Sequence, residues 1–561
     1  MCKGRVRSAV VAAVAVALVA AAYPRGVVAK GTAPGANASS LWTDPQTGQV
    51  FAKPGPGRVP LTPQDAPSNE APGSPIQAAL WSDAQTGEVF SKPGPGRLPL
   101  TPQVTASTEP PPSQIQTLQQ ETRELEKQVQ ALTNKNGLQL DGVNVKLGGF
   151  IETAGIYRTR NQVADVGSDY NQGIPFNNAA LAHENETRFS ARQSRLSLLV
   201  SADVAPQAHL AAYYEFDFLG SGTSSNSRES NSYTPRTRHI YATLDREDWG
   251  FHLLVGQNWS LLTTNTKGIM PRQEQIPITI DAQYVEGFNW LRVPQFRVVE
   301  EFGHGLWAGA SAESPQVVTS PIVQPTGVNY TNPGNSAGLL NATTTYSNDW
   351  VPDLHAKIAY DPGWGHYEFK SLLRRFTARA DGASRHTWGY GFGGAATMPI
   401  VAKYVDLQLS GLAGYGIGRY GSGQLPDAAF KADNIHLVAI PEAQGMFSLI
   451  GHPWAGNDLY VYGGWEHADR AGAPSTSGYG WDGLDVSGCG YEGGKTCQAE
   501  TRDLTQITAG FWQDVYKGSY GRFTLGFQGG NIWRDAFSGK GGRPKTNIGI
   551  FMTSVRYYPF P

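Results

Sequence analysis

The sequence predicts an all-β protein, a transmembrane antiparallel β-barrel of about 16 strands with 18 as the alternative. Three observations lead there. The first is composition: 66 of 561 residues are Gly, aromatics reach 11% and charged residues only 16%, against a usual ~7% Gly and ~25% charge. The second is a period of two in apolar character that recurs from residue 145 onward. The third is an alternation of tight turns with long polar segments, the asymmetry of barrels that cross a membrane. The same figures exclude other classes. A net charge of −2 speaks against a nucleic-acid binder that works through broad positive charge. Three Cys cannot build a disulfide scaffold. A mean hydropathy of −0.34, with no second long apolar run, excludes a helical membrane protein.

The elements follow in chain order. Residues 1–29 read as a secretory signal peptide: Lys3, Arg5 and Arg7 precede the apolar run 8–22, and Val27-Val28-Ala29 offers small residues for cleavage. Residues 30–113 form a Pro/Gly-rich extension expected in the periplasm. It holds two copies of a repeat, LWTDPQTGQVFAKPGPGRVPLTPQ at 41–64 and LWSDAQTGEVFSKPGPGRLPLTPQ at 80–103, identical at 19 of 24 positions. Each copy has a hairpin signal at Thr47-Gly48 or Thr86-Gly87. The Pro and Gly content favours extended, polyproline-like chain. The repeat reads either as a duplicated spacer or as a ligand tape for the cell wall or another envelope protein, anchored by Trp42 and Trp81. Residues 114–136 place Ile115, Leu118, Leu125, Val129 and Leu132 at heptad spacing, a short coiled coil.

Residues 145–561 carry the barrel. In RLSLLVSAD, Leu196, Leu198 and Val200 share one face and Arg195, Ser197 and Ser201 the other. In RHIYATLD, Ile240, Ala242 and Leu244 oppose His239, Tyr241 and Thr243, and in HYEFKSLLR, Phe369 and Leu373 oppose Glu368, Lys370 and Arg374. A water-soluble sandwich alternates in the same way, so strand length and the ends must decide. The strands run ~9–13 residues, long enough to cross a bilayer at a tilt. Trp249, Trp259, Trp290, Trp364, Trp481, Trp533, Tyr557 and Tyr558 lie near strand ends, as an aromatic girdle requires. Asp361-Pro362-Gly363 and Arg246-Glu247-Asp248 are tight turns, whereas 159–187, 219–235, 314–350 and 468–503 are long and polar. Only closure satisfies every backbone group in lipid. Roughly 25 residues per strand and connection over this length give about 16 strands, wide enough for an aqueous channel.

Several segments resemble a known family: VKLGGFIETAGIYRT, RQSRLSLLV, PRTRHIYATL, GFHLLVGQNWSLL and WLRVPQFRVV, with Arg238–Ala242 and Gly256–Ser260 the most specific. With a signal peptide and a short coil ahead of the barrel, they resemble the DcaP-like family of outer-membrane porins. The resemblance covers residues 114–300, and the rest by architecture. It implies a homotrimer in outer-membrane lipid, a periplasmic coil, and diffusion of small anions, dicarboxylates among them. The 41–103 repeat is outside that pattern. The C-terminus departs from the usual aromatic ending, since Pro561 follows Phe560 and Pro559 interrupts the alternation.

An anion channel needs cations where it is narrowest, and Arg suits because its planar fork holds a carboxylate and stays charged. The alternation turns Arg195, Arg292, Arg297, Lys370 and Arg374 inward, while Arg238 stands at a strand start that leaves its face open. Against this stands the reading that they neutralise lumen carboxylates such as Glu368. A one-residue slip of register reverses each assignment. Residues 261–283, with Lys267 and Arg272, are the candidate for a loop folded into the lumen. Cys489 and Cys497 read as one loop disulfide, a metal pair being the weaker reading. No metal, cofactor, nucleic-acid or catalytic motif survives inspection. Gly416–Gly421 fits G-x-G-x-x-G but opens no helix, and His183-Glu184-Asn185-Glu186 lacks a second His. The expected role is non-enzymatic passage of small hydrophilic solutes with a bias to anions. Two alternatives stay open, a sugar-selective porin and a barrel that mainly anchors the envelope through its N-terminal repeat.

Overall fold

The computed structural model describes chiefly residues 142–221, 233–319, 345–431, 435–472 and 478–560, with short strand pieces elsewhere. The expected signal peptide and coiled coil lie outside the described residues. The chain divides into two compact units, Met1–Arg123 and Glu124–Pro561.

In the first unit each repeat copy forms a three-stranded sheet with its first strand in the middle. In one copy Trp42–Thr43 pairs with Val50–Phe51 and with Val59–Pro60. In the other Leu80–Asp83 pairs with Val89–Phe90 and with Arg97–Leu100. The Pro/Gly runs, on which the polyproline-like expectation falls, lie outside the described residues.

The second unit is a closed antiparallel barrel of 16 strands. In chain order they are β1 (Val143–Arg158), β2 (Arg195–Ala205), β3 (Ala208–Gly220), β4 (Thr234–Arg246), β5 (Phe251–Trp259), β6 (Arg292–Glu301), β7 (Leu306–Glu313), β8 (Asp353–Tyr360), β9 (His366–Ala380), β10 (Ala383–Val401), β11 (Val405–Tyr415), β12 (Pro441–Gly451), β13 (Asn457–Ala468), β14 (Thr501–Gly518), β15 (Gly521–Ala536) and β16 (Lys545–Tyr558). Each pairs with its sequence neighbour, and β16 pairs with β1 from Ile550↔Arg158 to Tyr557↔Ile151, which closes the ring. The short strand Glu186–Ser190 continues the line of β2 and pairs with the upper part of β1. At the break between them the Glu152 amide donates to Ser194 Oγ at 2.9 Å, so a hydroxyl replaces the missing ladder carbonyl.

The polarity is that of a membrane barrel. On β9 the side chains of Glu368, Lys370 and Arg374 are buried, while Phe369 is 55% exposed. On β12 Glu442, Gln444 and Ser448 are buried, while Phe447 and Leu449 are exposed. Apolar groups outside and polar groups inside reverse the order of a soluble fold. One end carries the tight connections, Asp361-Pro362-Gly363 among them, and both strand termini Val143 and Tyr558. The other end carries the long loops, although β9 and β10 meet there in a tight turn at Asp381-Gly382.

Three girdle assignments are corrected, one of them Tyr558, which lines an interior cavity. Trp259 is 3% exposed and Trp290 packs against the interior core, with its indole N–H donating to Gly421 O at 2.9 Å. Both flank the chain that enters the lumen, so a strand-end position did not mean a lipid-facing one. Trp249, Trp364 and Trp533 are exposed.

The lipid-facing band supplies a first prediction. Phe392 lies midway along β10 and is 56% exposed. Phe392→Arg is expected to destabilise the folded barrel by about 2–4 kcal/mol, whereas Lys403→Glu in the short turn after β10 should change little. Equilibrium unfolding in lipid vesicles measures both, and equal effects would contradict this orientation.

Candidate functional site

The segment 260–291 leaves β5 and runs into the barrel instead of out of it. Its neck is closed where the Ser260 amide donates to Leu291 O at 2.8 Å. On one wall Leu261 N donates to Glu313 Oε1 and Asn265 N to Glu368 Oε1, each at 2.8 Å. Lys357 Nζ reaches Thr263 O at 2.6 Å and Lys370 Nζ reaches Leu262 O at 2.7 Å. On the opposite wall Ile278 N donates to the Tyr462 hydroxyl at 3.1 Å, Ile280 N to Gln528 Oε1 at 2.6 Å and Gly287 N to Glu466 Oε1 at 2.9 Å. The backbone of a chain inside a barrel has no ladder partner, so strand side chains must satisfy it. That explains why these inward positions are Glu, Gln, Lys and Tyr. Close approach also needs missing side chains. A Cβ on Gly464 would fall 2.0 Å from Glu286 O, and one on Gly287 2.1 Å from Gly445 O. Lys267 and Arg272 of this segment are exposed.

A cavity of about 470 Å³ remains between residues 276–284 and the strands near the short-turn end. Arg195, Arg522 and Arg556 line it, with Asp458 and Asp514. Its aromatic surfaces are covered by cations. Arg195 lies 5.3 Å over Phe150, Arg556 4.2 Å over Trp512, and Arg522 4.1 Å over Tyr558. Arg556 also meets Glu152 at 3.1 Å.

Tyr284 reaches from the inserted segment toward the wall beside this cavity, and there the structure gathers a second set of guanidiniums. Glu215 is shared by Arg238 at 2.6 Å and Arg195 at 3.6 Å. Asp217 is shared by Arg236 at 2.7 Å and Arg238 at 3.1 Å. Arg238 also donates to the Tyr284 hydroxyl at 3.4 Å. Arg292 lies 4.5 Å over the Trp259 ring, and its Nη1 is buried with no hydrogen-bond acceptor among the described residues. Three guanidiniums thus share two carboxylates, with the Arg292 guanidinium beside them on the Trp259 ring. Burial raises the Tyr284 phenol, but Arg238, Arg195 and Arg292 outweigh it and bring the group down to about 7.

Of the six cations singled out in the sequence, Arg195, Arg238 and Arg292 come together around Tyr284. The other three face inward but stand apart from that cluster. Arg297 donates to Gln295 Oε1 at 2.9 Å and to Trp259 O. Lys370 holds the inserted segment at Leu262 and at Asn289 Oδ1, the latter at 2.7 Å. Arg374 is fully buried against Asp353 at 3.1 Å and Asp427 at 2.5 Å, and donates to Gly416 O, so it ties the 416–440 loop to the wall. The structure joins Cys489 and Cys497 in a disulfide within the loop between β13 and β14. Arg236, Arg522, Arg556 and Tyr284 were not anticipated. The inward phase of β15 and β16 could have revealed Arg522 and Arg556. Nothing in the sequence marks Tyr284, because its place depends on where the inserted loop lands. The glycine run 416–421 forms a short 3-10 turn, Gly418–Tyr420, whose amides Ile417 N and Gly418 N donate to Glu442.

No family model and no curated protein matches this chain. Among solved structures it is similar to the outer membrane channel DcaP of Acinetobacter baumannii, with a TM-score of 0.55 and 19% identity over 75% of this chain and 100% of that one. The anion-selective porin from Comamonas acidovorans matches with a TM-score of 0.40 and 11% identity over 74% of this chain and 99% of that one. Salmonella typhi OmpF in complex with daunomycin matches with a TM-score of 0.42 and 9% identity over 75% and 99%. The first of these shows the shared fold, in line with the resemblance read from residues 114–300.

Two outcomes are expected. Lys370→Met leaves Leu262 O and Asn289 Oδ1 without their donor, at about 1–3 kcal/mol each. The inserted segment should loosen, giving larger and noisier single-channel currents at unchanged β-sheet circular dichroism; currents identical to the parent's would remove Lys370 from that role. Second, ultraviolet titration of tyrosinate should show one group ionising near 7 that Tyr284→Phe lacks. If each tyrosine ionises only near its ordinary ~10, the guanidiniums do not act on Tyr284 as described.

Proposed function

We propose that this protein is an outer-membrane porin for passive diffusion of small hydrophilic solutes, with a preference for anions such as dicarboxylates. The observation that carries this reading is the excess of guanidinium over carboxylate around Tyr284, beside a cavity bounded by the inserted segment. Shared carboxylates leave positive charge unspent, and a passing anion offers what the cluster lacks. Charge lowers the barrier to entry, and weak, multiple contacts permit exit. No covalent step is involved. A sugar-selective channel fits less well, because Phe150, Trp512 and Tyr558 are already covered by Arg side chains and present no bare ring for stacking.

In this reading residues 1–29 direct export, the N-terminal region lies in the periplasm, and three copies assemble through the barrel walls with the 114–136 coil beneath. The trimer rests on the family resemblance, not on the heptads.

Planar-bilayer recording under a KCl gradient tests the proposal. Reversal toward the chloride potential, in conductance steps grouped by three, is the expected result. A unit charge ~4 Å from the ion path is worth about 1 kcal/mol in water, so Arg195→Gln should lower the chloride-to-potassium permeability ratio about fivefold. The ratio should also fall as pH rises through about 7, because ionised Tyr284 adds a negative charge to the cluster. A silent membrane with insertion confirmed independently, or cation selectivity, would defeat the anion-porin reading.

A further inference from the structure

The outer face of β13, β14 and β15 changes character abruptly near the long-loop end. Thr505 stands opposite Trp465 and Trp533, and Asp503 stands opposite His467 and Asp535. Directly opposed residues of neighbouring strands share a face. Trp465 and Trp533 are exposed, while Glu466, Leu504 and Gln506 are buried inside. The Trp row therefore lies on the lipid side, with the charged row two residues, or ~7 Å, nearer the loops. Beside the Trp row an apolar hollow of about 600 Å³ opens on the same face, bounded by Phe447, Trp465, Ile507 and Trp533. Its floor is glycine: a Cβ on Gly463 would fall 2.1 Å from the Phe447 ring. Beyond the charged row lies a second hollow of about 540 Å³, lined by Asp469, Arg470, Arg502, Phe537 and Arg543. Its cations are unequally engaged. Arg543 Nη2 meets Asp503 at 3.1 Å and Asp535 at 3.3 Å. Arg470 pairs with Asp482 and donates to Ser538 O at 3.0 Å. Arg502 donates no hydrogen bond among the described residues, and Asp503 stands 3.7 Å from it.

We propose that the two hollows form one site for a phosphorylated lipid of the leaflet at the long-loop end, with an acyl chain in the apolar hollow and the phosphate against Arg502 and Arg543. This rests on the barrel lying in a membrane, not on conduction through it. An exposed Trp row marks the boundary between hydrocarbon and head groups, so the apolar hollow opens to acyl chains and the cationic one to head groups. The planar fork of Arg fits two phosphate oxygens at once, and Arg502 has that fork free. Asp469 would repel a bare phosphate but accepts from a hydroxyl, so a head group with hydroxyls beside its phosphate fits best. Phosphorylated sugar and phosphoglycerol both have that chemistry. A second copy of the barrel is the competing occupant of the apolar hollow. A lipid joins an apolar chain to an anion in one molecule, which is what the pair of hollows asks for.

The test titrates the full-length protein, purified in a nonionic detergent, with single lipids and counts those retained by native mass spectrometry. Lipid A, phosphatidylglycerol and phosphatidylcholine are the probes, and inorganic phosphate is the competitor. Lipid A or phosphatidylglycerol should be retained at one per chain, about tenfold more tightly than phosphatidylcholine. Preference for lipid A would assign a phosphorylated sugar head, preference for phosphatidylglycerol a phosphoglycerol head, and equal retention either one. Arg502→Gln should weaken retention about tenfold, as loss of a charge-assisted hydrogen bond requires. Thr505→Trp fills the apolar hollow, leaves the guanidiniums in place and should weaken retention as much. Both variants should keep the parent's folded gel mobility and bilayer conductance, so failure here is distinct from failure of the porin reading. No retention, equal retention of phosphatidylcholine, variants that bind like the parent, or displacement by inorganic phosphate would each overturn the proposal. So would dissociation of the oligomer by Thr505→Trp, which would give the hollow to a second copy.

Discussion

Closure is the constraint on which the rest of this barrel depends. A strand edge in hydrocarbon leaves amides and carbonyls with no partner, at several kcal/mol for each. Pairing of β16 with β1 removes the last edge. Once the ring is closed, lipid takes the outer face and the apolar residues must point outward. The interior is then the only place for polar side chains, and a barrel of 16 strands has more interior than side chains alone can fill. The inserted segment 260–291 is the answer to that surplus. Its own backbone must be satisfied, and the inward Glu, Gln, Lys and Tyr of the wall do so.

The same logic orders the charges. Each inward Arg or Lys either is neutralised or keeps charge to spare. Arg374 belongs to the first kind, held between two buried carboxylates and two loop carbonyls. A buried pair of this sort contributes little net stability, although removing one partner is costly. Its effect is positional: it fixes where the 416–440 loop sits. Arg195 and Arg292 are of the second kind: Arg195 shares Glu215 with the buried Arg238, and Arg292 Nη1 has no acceptor among the described residues. Burial makes that imbalance count, since charge near a low-dielectric wall is screened less than charge in open water.

Much of this was legible in the sequence. Strand number, the facing of β2, β4 and β9, the tight turns and the inward direction of Arg195, Lys370 and Arg374 all follow from a period of two and the demand for closure. The segment 261–283 was a candidate for the loop folded into the lumen because it follows the strand that ends at Trp259 and holds Lys267 and Arg272. What could not be read is where that segment lands. Glycines at 445 and 464 look like ordinary strand interruptions until Gly287 and Glu286 are seen pressed against them. Trp259 and Trp290 looked like girdle residues because a strand end at the membrane surface and a strand end at the mouth of an inserted loop have the same local sequence. Tyr284 gave no signal, since a loop residue has no phase.

The division between fixed and available charge also explains why position along the barrel matters more than the count of Arg. Lys370 and Arg374 face the lumen as the alternation demands, yet the loops they hold lie over them, so they act through the position of those loops. Arg195 lines the cavity directly while sharing its carboxylate with Arg238. Arg556 and Arg522 lie over aromatic rings, which helps to hold the guanidinium in place without spending its charge on a carboxylate alone. Stacking of this kind keeps a cation in place at the cavity wall, where a lysine of equal charge would pair or swing away. The wall is therefore sorted into residues that hold the inserted segment and loops and residues that line the remaining cavity.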